Sequence, residues 1–514
     1  MDAIQRMNEL DAVARLQGRD ATLFGEAAEV AELVSQNLGW LDVARSARYM
    51  PDPRLAKLEQ LAFELTDVVV LGTGAESLAA RALGVAFADE VTSRMHVIDS
   101  PAPRAIARAL EELDPASTIY VVSSKTGRGL ALDLYATFRA AADARIGRDE
   151  AGQRFVAITD PGTELTSLAR AEGFRVVFHG NPRAGEHYSA LTVFGLVPAA
   201  LLGVDTGHLI GRATHMEEGA LFEAEQSPVA GLAASIVEWH ADGRDKLTIV
   251  TPPKLRPFAR WAEDLMSAAL PPASGVTTVV DYSPSTPEGF PDDRAIVLVR
   301  FKDDLALGSW GITYGETTPV GDIVLRDYFD IAGEFVRWEY AAALAGALLG
   351  VNPFAHEDPV PAAAAIARAL DAPAPPASAD LAAGLPALGE RGYLAIRAFL
   401  PDDAPESLAP LEAAIAAASL TTGRAVTLAV NAVRPADAEA EDAVFVVVTT
   451  DDAADVAIPG KPHGFRALLR ARGDAEAALL ADAGRQVVRV VLPDASQASI
   501  EAFAADFERA TGVA

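Results

Sequence analysis

The chain has 514 residues, half of them apolar, enough to fill about three domain cores at roughly 100–200 residues per domain. Its 43 Lys and Arg against 72 Asp and Glu give a net charge of −29. That charge repels phosphate backbones and anionic lipid heads, so nucleic acid and membrane are excluded as partners, and it keeps the chain soluble. Without cysteine there are no disulfides, thiolate nucleophiles or Cys-based metal sites, and the eight histidines have no metal-ligand spacing.

The N-terminal stretch Met1–Arg19 is polar, with charged residues throughout and no apolar core of a signal peptide, which predicts a cytoplasmic protein. Residues 1–65 read as a helical segment, with apolar stripes at Leu10, Val13, Ala14 and Leu16, then at Ala28, Val30, Ala31 and Leu33. Short apolar runs then alternate with helical stretches. Strands are predicted at 67–71, 96–98, 118–122, 155–158 and 174–178, with helices at 76–88, 103–113, 127–144 and 164–172. Continuous apolar strands between helices mean a parallel sheet covered on both faces, with ligands at the carboxyl ends of its strands.

Helices fill 188–241. The longest apolar run, Ala190–Val204, is too short to span a bilayer and is broken by Gly195 and Pro198, so it reads as a buried core helix. A second set of strands is predicted at 247–250, 277–280 and 295–301, with helices at 256–270, 333–349 and 361–370. A Pro/Ala-rich linker spans 371–389, and the tail offers strands at 393–399, 426–430, 444–449 and 487–491. The fold class is thus α/β. The division is a helical segment at 1–65, α/β domains at 66–205 and 206–375, and a C-terminal α/β portion at 390–514 that completes the second lobe.

Ser123-Ser-Lys-Thr-Gly127 follows the third strand and is predicted to open a helix. Free helix N–H groups, the hydroxyls of Ser124 and Thr126 and the charge of Lys125 would suit a monophosphate. The same residues also suit an N-capped helix with a solvated lysine. Gly72-Thr-Gly-Ala-Glu-Ser77 is a similar turn that places Gly74 and Ser77 near the same pocket. It lacks the third glycine of the dinucleotide fingerprint, so no nicotinamide cofactor is predicted, nor any other.

His187-Tyr-Ser-Ala-Leu-Thr-Val-Phe-Gly-Leu-Val-Pro-Ala-Ala-Leu201 closely resembles the signature of the phosphoglucose (glucose-6-phosphate) isomerase family. Val121-Val-Ser-Ser-Lys-Thr-Gly127, Ala157-Ile-Thr-Asp-Pro-Gly162, Arg337-Trp-Glu-Tyr-Ala-Ala-Ala-Leu-Ala-Gly346 and Gly350-Val-Asn-Pro-Phe354 resemble the family's other strings in the same order. Asp20–Gly25 and Gly484–Val491 are similar to the actinobacterial form, the isomerase half of transaldolase–isomerase fusions. The resemblance implies two sugar-isomerase (SIS) sheets, a homodimer, and the interconversion of glucose 6-phosphate and fructose 6-phosphate. In that reaction a carboxylate moves a proton between C1 and C2 through an enediol.

The family's site residues are largely replaced. Ala75 and Glu76 stand where a glycine and a serine meet the sugar phosphate. A carboxylate about 4 Å from a dianion costs about 4 kcal/mol per charge pair at an effective dielectric near 20. Arg128-Gly-Leu-Ala131 replaces T-T-x-E, although Arg128 still offers a cation. His187 replaces the arginine beside the enediolate and lacks its fork. Ala268 falls on the catalytic glutamate, and Asp264, one helical turn earlier, is the nearest substitute carboxylate, read here as a solvated surface residue. Asn431–Glu441 replaces the loop that delivers a lysine to the ring oxygen.

Three functions compete. One is a weakened or rewired isomerase, supported by the retained Ser124-Lys-Thr126 loop and Glu339. Another is a sugar-phosphate-binding or regulatory homologue taking hexose phosphate. The last is a purely structural partner of an active paralogue. The loss of polar site residues with retention of the core favours the second.

Overall fold

Val68, Val69 and Val70 lie on β1 (Asp67–Leu71) and are fully buried, as a strand sandwiched between helices requires. The computed structural model describes residues 2–281, 291–310, 313, 317–355, 359–373, 378–385, 392–433 and 443–512. β1 pairs in parallel with β2 (Arg94–Ile98) and β3 (Thr118–Ser123), and β3 is followed by β4 (Phe155–Thr159) and β5 (Val176–His179). The order is β2-β1-β3-β4-β5. The chain runs outward from β1 in opposite directions, so a crevice opens at the carboxyl ends of β1 and β3.

A second sheet has the order β7-β6-β8-β9: β6 (Lys246–Val250), β7 (Thr277–Val280), β8 (Arg294–Phe301) and β9 (Val320–Leu325). β9 is absent from the sequence expectations. It is an edge strand carrying Gly321 and Asp322, and its alternate residues Asp322 and Val324 are exposed.

The tail was expected to complete the second lobe. It forms a third sheet of its own, β11-β10-β12-β13, with β10 (Leu394–Ala398), β11 (Val426–Val430), β12 (Val444–Thr450) and β13 (Gln486–Leu492) all parallel. The predicted tail strands and helices are therefore present, but they pair with one another.

The chain divides into two compact units. The first comprises Met1–Asp99, Leu113–Thr278 and Ala295–Ala355; the second comprises Ser100–Glu112, Val279–Arg294 and His356–Ala514. Within the second unit, the crevice at the carboxyl ends of β10 and β12 is filled by the chain itself. Arg104 N–H donates to the Pro401 carbonyl at 2.9 Å, Arg104 pairs with Asp452, and Arg108 forms a two-pronged pair with Asp402 at 3.0 Å.

In the first unit the helix Ile331–Leu349 is buried along almost its whole length and ends on Gly350 in the left-handed conformation. The apolar run at 190–204 is the buried helix Val193–Leu202, capped by the Thr192 hydroxyl. Gly195 in it touches backbone: a Cβ there would lie 2.0 Å from the Ala190 carbonyl oxygen. No helix among the described residues is long and apolar enough to cross a membrane.

Candidate functional site

The crevice between β1 and β3 is entered by two turns. After β1, Gly74 (φ 63°) caps the helix Ala75–Ala86, which places Glu76 and Ser77 in its first turn. After β3 the expected helix start at Ser124 does not form. The helix begins at Leu130, capped by Gly129 (φ 74°), and Gly127 (φ 64°) turns the chain a second time. Two glycines in the left-handed region hold residues 124–129 as a loop, so Ser124, Lys125 and Thr126 are not at a helix N-terminus.

Each residue of that loop has a defined place. Ser124 is buried; its N–H donates to the Ile158 carbonyl at 3.0 Å, and its hydroxyl accepts from Gly127 N–H at 3.1 Å. Lys125 Nζ sits 2.9 Å from Asp160 and donates to the Asn181 carbonyl at 3.2 Å. Thr126 and Arg128 are exposed, and Arg128 lies 4.0 Å from an exposed Glu164.

The Lys125 N–H is taken by Glu76. The Glu76 carboxyl accepts it at 2.8 Å, and the side chain is buried. Glu76 therefore ties the first turn of the helix after β1 to the loop after β3. Burial, helped by the charge on Glu186, pushes its pKa up to about 8. It was expected to be a fixed negative charge. Its burial makes it instead an acid that ionises only on the alkaline side, and in either state it holds the N–H.

Ser77 and Gly74, expected in a pocket, lie in the turn that follows β1. The Ser77 hydroxyl lies 2.8 Å from the Gly74 carbonyl and 2.9 Å from Asp99, which in turn pairs with Arg81 at 2.8 Å. At the base, Ser123 Oγ is buried with no hydrogen-bond partner among the described residues. Asp99, Asp160 and Glu186 are site residues that sequence reasoning missed. Asp99 and Asp160 each directly follow a strand, at the carboxyl edge of the sheet, and that position was the available signal.

His187 and Asp264 come together. Their side chains lie 2.9 Å apart, Nδ1 to carboxylate, and each is about a quarter exposed. Asp264 is thus not a solvated surface residue but the partner of His187, with Glu186 3.6 Å from the other ring nitrogen. Ala268 is partly exposed on the last turn of the helix Arg256–Ala269 and offers no proton acceptor. Glu339 is a buried core acid, its pKa raised well above the ordinary range by burial and by Glu217. The predicted lysine-loop replacement lies outside the described residues from 434 onward.

Buried acids of this kind make stability depend on pH. Glu76 binds its proton more tightly in the folded chain than in the unfolded one. The associated stability is complete below its ordinary value of 4.5 and is lost as pH rises through about 8. Glu334, pushed up to about 7 by burial, acts in the same direction. The thermal midpoint is expected to fall between pH 5 and pH 8, and less steeply in Glu76→Gln. Parallel melting curves for the two proteins at each pH check this; equal slopes would contradict it.

No family model matches the chain. Among curated proteins, it is 31% identical over 220 residues to the glucose-6-phosphate isomerase of Trichormus variabilis, covering 40% of each chain. It is 32% identical over 192 residues to that of Thermus thermophilus, covering 37% of this chain and 45% of the relative. The matched region thus spans well under two thirds of the relatives' own length. Among solved structures, a hypothetical protein from Thermus thermophilus superposes with a TM-score of 0.60 at 22% identity, over 72% of this chain and 96% of that one. A glucose-6-phosphate isomerase from Chlamydia trachomatis gives 0.55 at 15% identity, over 68% and 82%. By sequence across about two fifths of its length this chain is similar to glucose-6-phosphate isomerases, and across about 70% of its length it shares the fold of these solved structures.

Proposed function

We propose that this protein is a carbohydrate-binding relative of glucose-6-phosphate isomerase with little or no isomerase activity on glucose 6-phosphate. The observation that carries this is the Glu76 carboxyl seated on the Lys125 N–H, inside the turn pair where a sugar phosphate would be held. Two further features support it. Lys125 is neutralised by Asp160, and Ala268 stands where the resemblance puts the family's glutamate base. Expected weak contacts to hexose phosphate fall to the exposed Thr126 and Arg128. A regulatory role, cytoplasmic location and a homodimer accord with the resemblance and belong to the same proposal.

The coupled assay of fructose 6-phosphate formation tests it. Loss of general base catalysis alone removes about two to four orders of magnitude. A turnover of about 10 per second, ordinary for enzymes, would overturn the proposal.

One observation favours a second reading, a rewired isomerase. The 2.9 Å contact between His187 and Asp264 is the geometry that orients an imidazole for proton transfer. In that case His187→Ala or Asp264→Ala would abolish whatever turnover the wild type has. If the wild type turns over and both variants keep its rate, the pair is structural.

A further inference from the structure

Within the second unit, a cleft of about 610 Å3 opens beside the third sheet. Its floor is the carboxyl end of the edge strand β13, from Val490 to Leu492, the end of a parallel strand where ligands are held. One wall is the helix Gln497–Thr511, and the other is the segment from Ser378 to Ala382. That segment is fixed to the strand. Ala379 N–H donates to the Arg489 carbonyl at 2.8 Å, and Val491 N–H donates to the Ser378 hydroxyl at 3.3 Å. The Asp380 carboxylate accepts from Ala382 N–H at 2.9 Å, which keeps its charge at the mouth.

The cleft stays open because small side chains face it from both walls. Ala379 and Ala382 stand on one side, and Ala498 and Ala502, one helical turn apart, on the other; all four are exposed. Val491 on the floor is half-buried, so apolar surface is accessible there too. An apolar cleft of roughly 300–1,000 Å3 with a few polar groups has the size and lining of a small-molecule site. The charged groups are Asp380, Asp506 and Arg509. Asp506 and Arg509 pair with each other, at 55% and 61% exposure, and an ion pair so exposed yields readily to an incoming charge. Two carboxylates against one guanidinium leave the mouth negative, in a chain of net charge −29. That field draws in a cation and opposes an anion.

We infer that this cleft is a binding site for a small organic cation, an ammonium group carried on an apolar body. The body packs between the two alanine walls onto Val491, and the ammonium lies at the mouth with Asp380 and Asp506. The site belongs to the tail sheet and does not depend on the carbohydrate reading of the β1–β3 crevice.

Calorimetric titration of the full chain with tryptamine, and with indole-3-propionate as its anionic counterpart, tests this. The two share one apolar body and differ in the sign of the head group. The wild type is expected to bind tryptamine roughly tenfold more tightly than the carboxylate. Asp506→Asn deprives Arg509 of its partner and is expected to bring that ratio to about one or below. Ala502→Trp fills the cleft from an exposed helix position and is expected to abolish binding of both. Ala502→Leu, a smaller filling at the same place, is expected to weaken both and serves if tryptophan disturbs the fold. An equal or inverted preference in the wild type, a ratio unchanged in Asp506→Asn, or binding undiminished in both Ala502 variants overturns the site. So does the absence of tryptamine binding at about 10 mM.

Discussion

Combining Glu76→Ser, His187→Arg and Ala268→Glu is expected to raise isomerisation of glucose 6-phosphate at least a hundredfold over the wild type. Each change answers one structural defect. Serine releases the Lys125 N–H, which Glu76 now holds at 2.8 Å. Arginine supplies a permanent fork-shaped cation in place of His187, and the Asp264 carboxylate 2.9 Å from the present ring is there to orient it. Glutamate at 268 restores a proton acceptor one helical turn, about 5–6 Å, beyond Asp264. A well-placed general base is worth about two to four orders of magnitude, which sets the expected gain. Glu76→Ser alone is expected to leave turnover at the wild-type level, because no base is added. Initial rates of fructose 6-phosphate formation for the single and triple variants check this. A triple variant no faster than wild type would place the defect elsewhere, with the altered 431–441 stretch as the next position to change.

The largest stability loss is expected from Gly195→Ala. The added Cβ would lie 2.0 Å from the Ala190 carbonyl oxygen and 3.1 Å from its carbon. Both atoms are backbone, so no rotamer change relieves the clash. The turn at 189–192 and the buried helix Val193–Leu202 must separate, at a cost of about 3 kcal/mol, the upper end for overpacked cores. Gly211 is a control of opposite sign. It lies inside the helix Thr206–Gly219, and nothing approaches within 4 Å of its missing Cβ. Gly211→Ala is expected to stabilise by about 0.5–1 kcal/mol. Urea unfolding of both variants, followed by tryptophan fluorescence, separates the two signs. Equal midpoints would refute the close approach at Gly195.

The parallel sheets were legible because their strands are continuous apolar runs of four to eight residues, such as Asp67-Val-Val-Val-Leu71, between amphipathic helices. β9 was not legible, since an edge strand with Gly321 and Asp322 carries no such run. The N-terminal helices were found, but their buried faces were misjudged. Ala14 is exposed while Ala12 and Leu16 are buried, and in the stripe read as Ala28, Val30, Ala31 and Leu33 only the adjacent Val34 is buried. Those helices are six to eight residues long, too short for periodicity to fix a face.

The resemblance pointed to Glu76, His187 and Asp264; in the structure Glu76 accepts the Lys125 N–H, and His187 pairs with Asp264. What the sequence did not reveal is how neighbours consume the charges. A lysine in Ser-Ser-Lys-Thr reads as an anion receptor until Asp160, thirty-five residues later, is seen beside it. The helix start after β3 was misplaced because the two positive-φ turns at Gly127 and Gly129 delay it to Leu130.

Proton exchange at C2 tests the central claim most directly, because it registers any enediol chemistry even when net isomerisation is slow. The protein is incubated with glucose 6-phosphate in D2O and the sugar is followed by proton NMR. The Glu76-filled turn and the base-free Ala268 predict no loss of the C2 proton beyond that in buffer. Deuterium at C2, lost again on substituting His187 or Asp264, would contradict the account and identify a working isomerase with a new base.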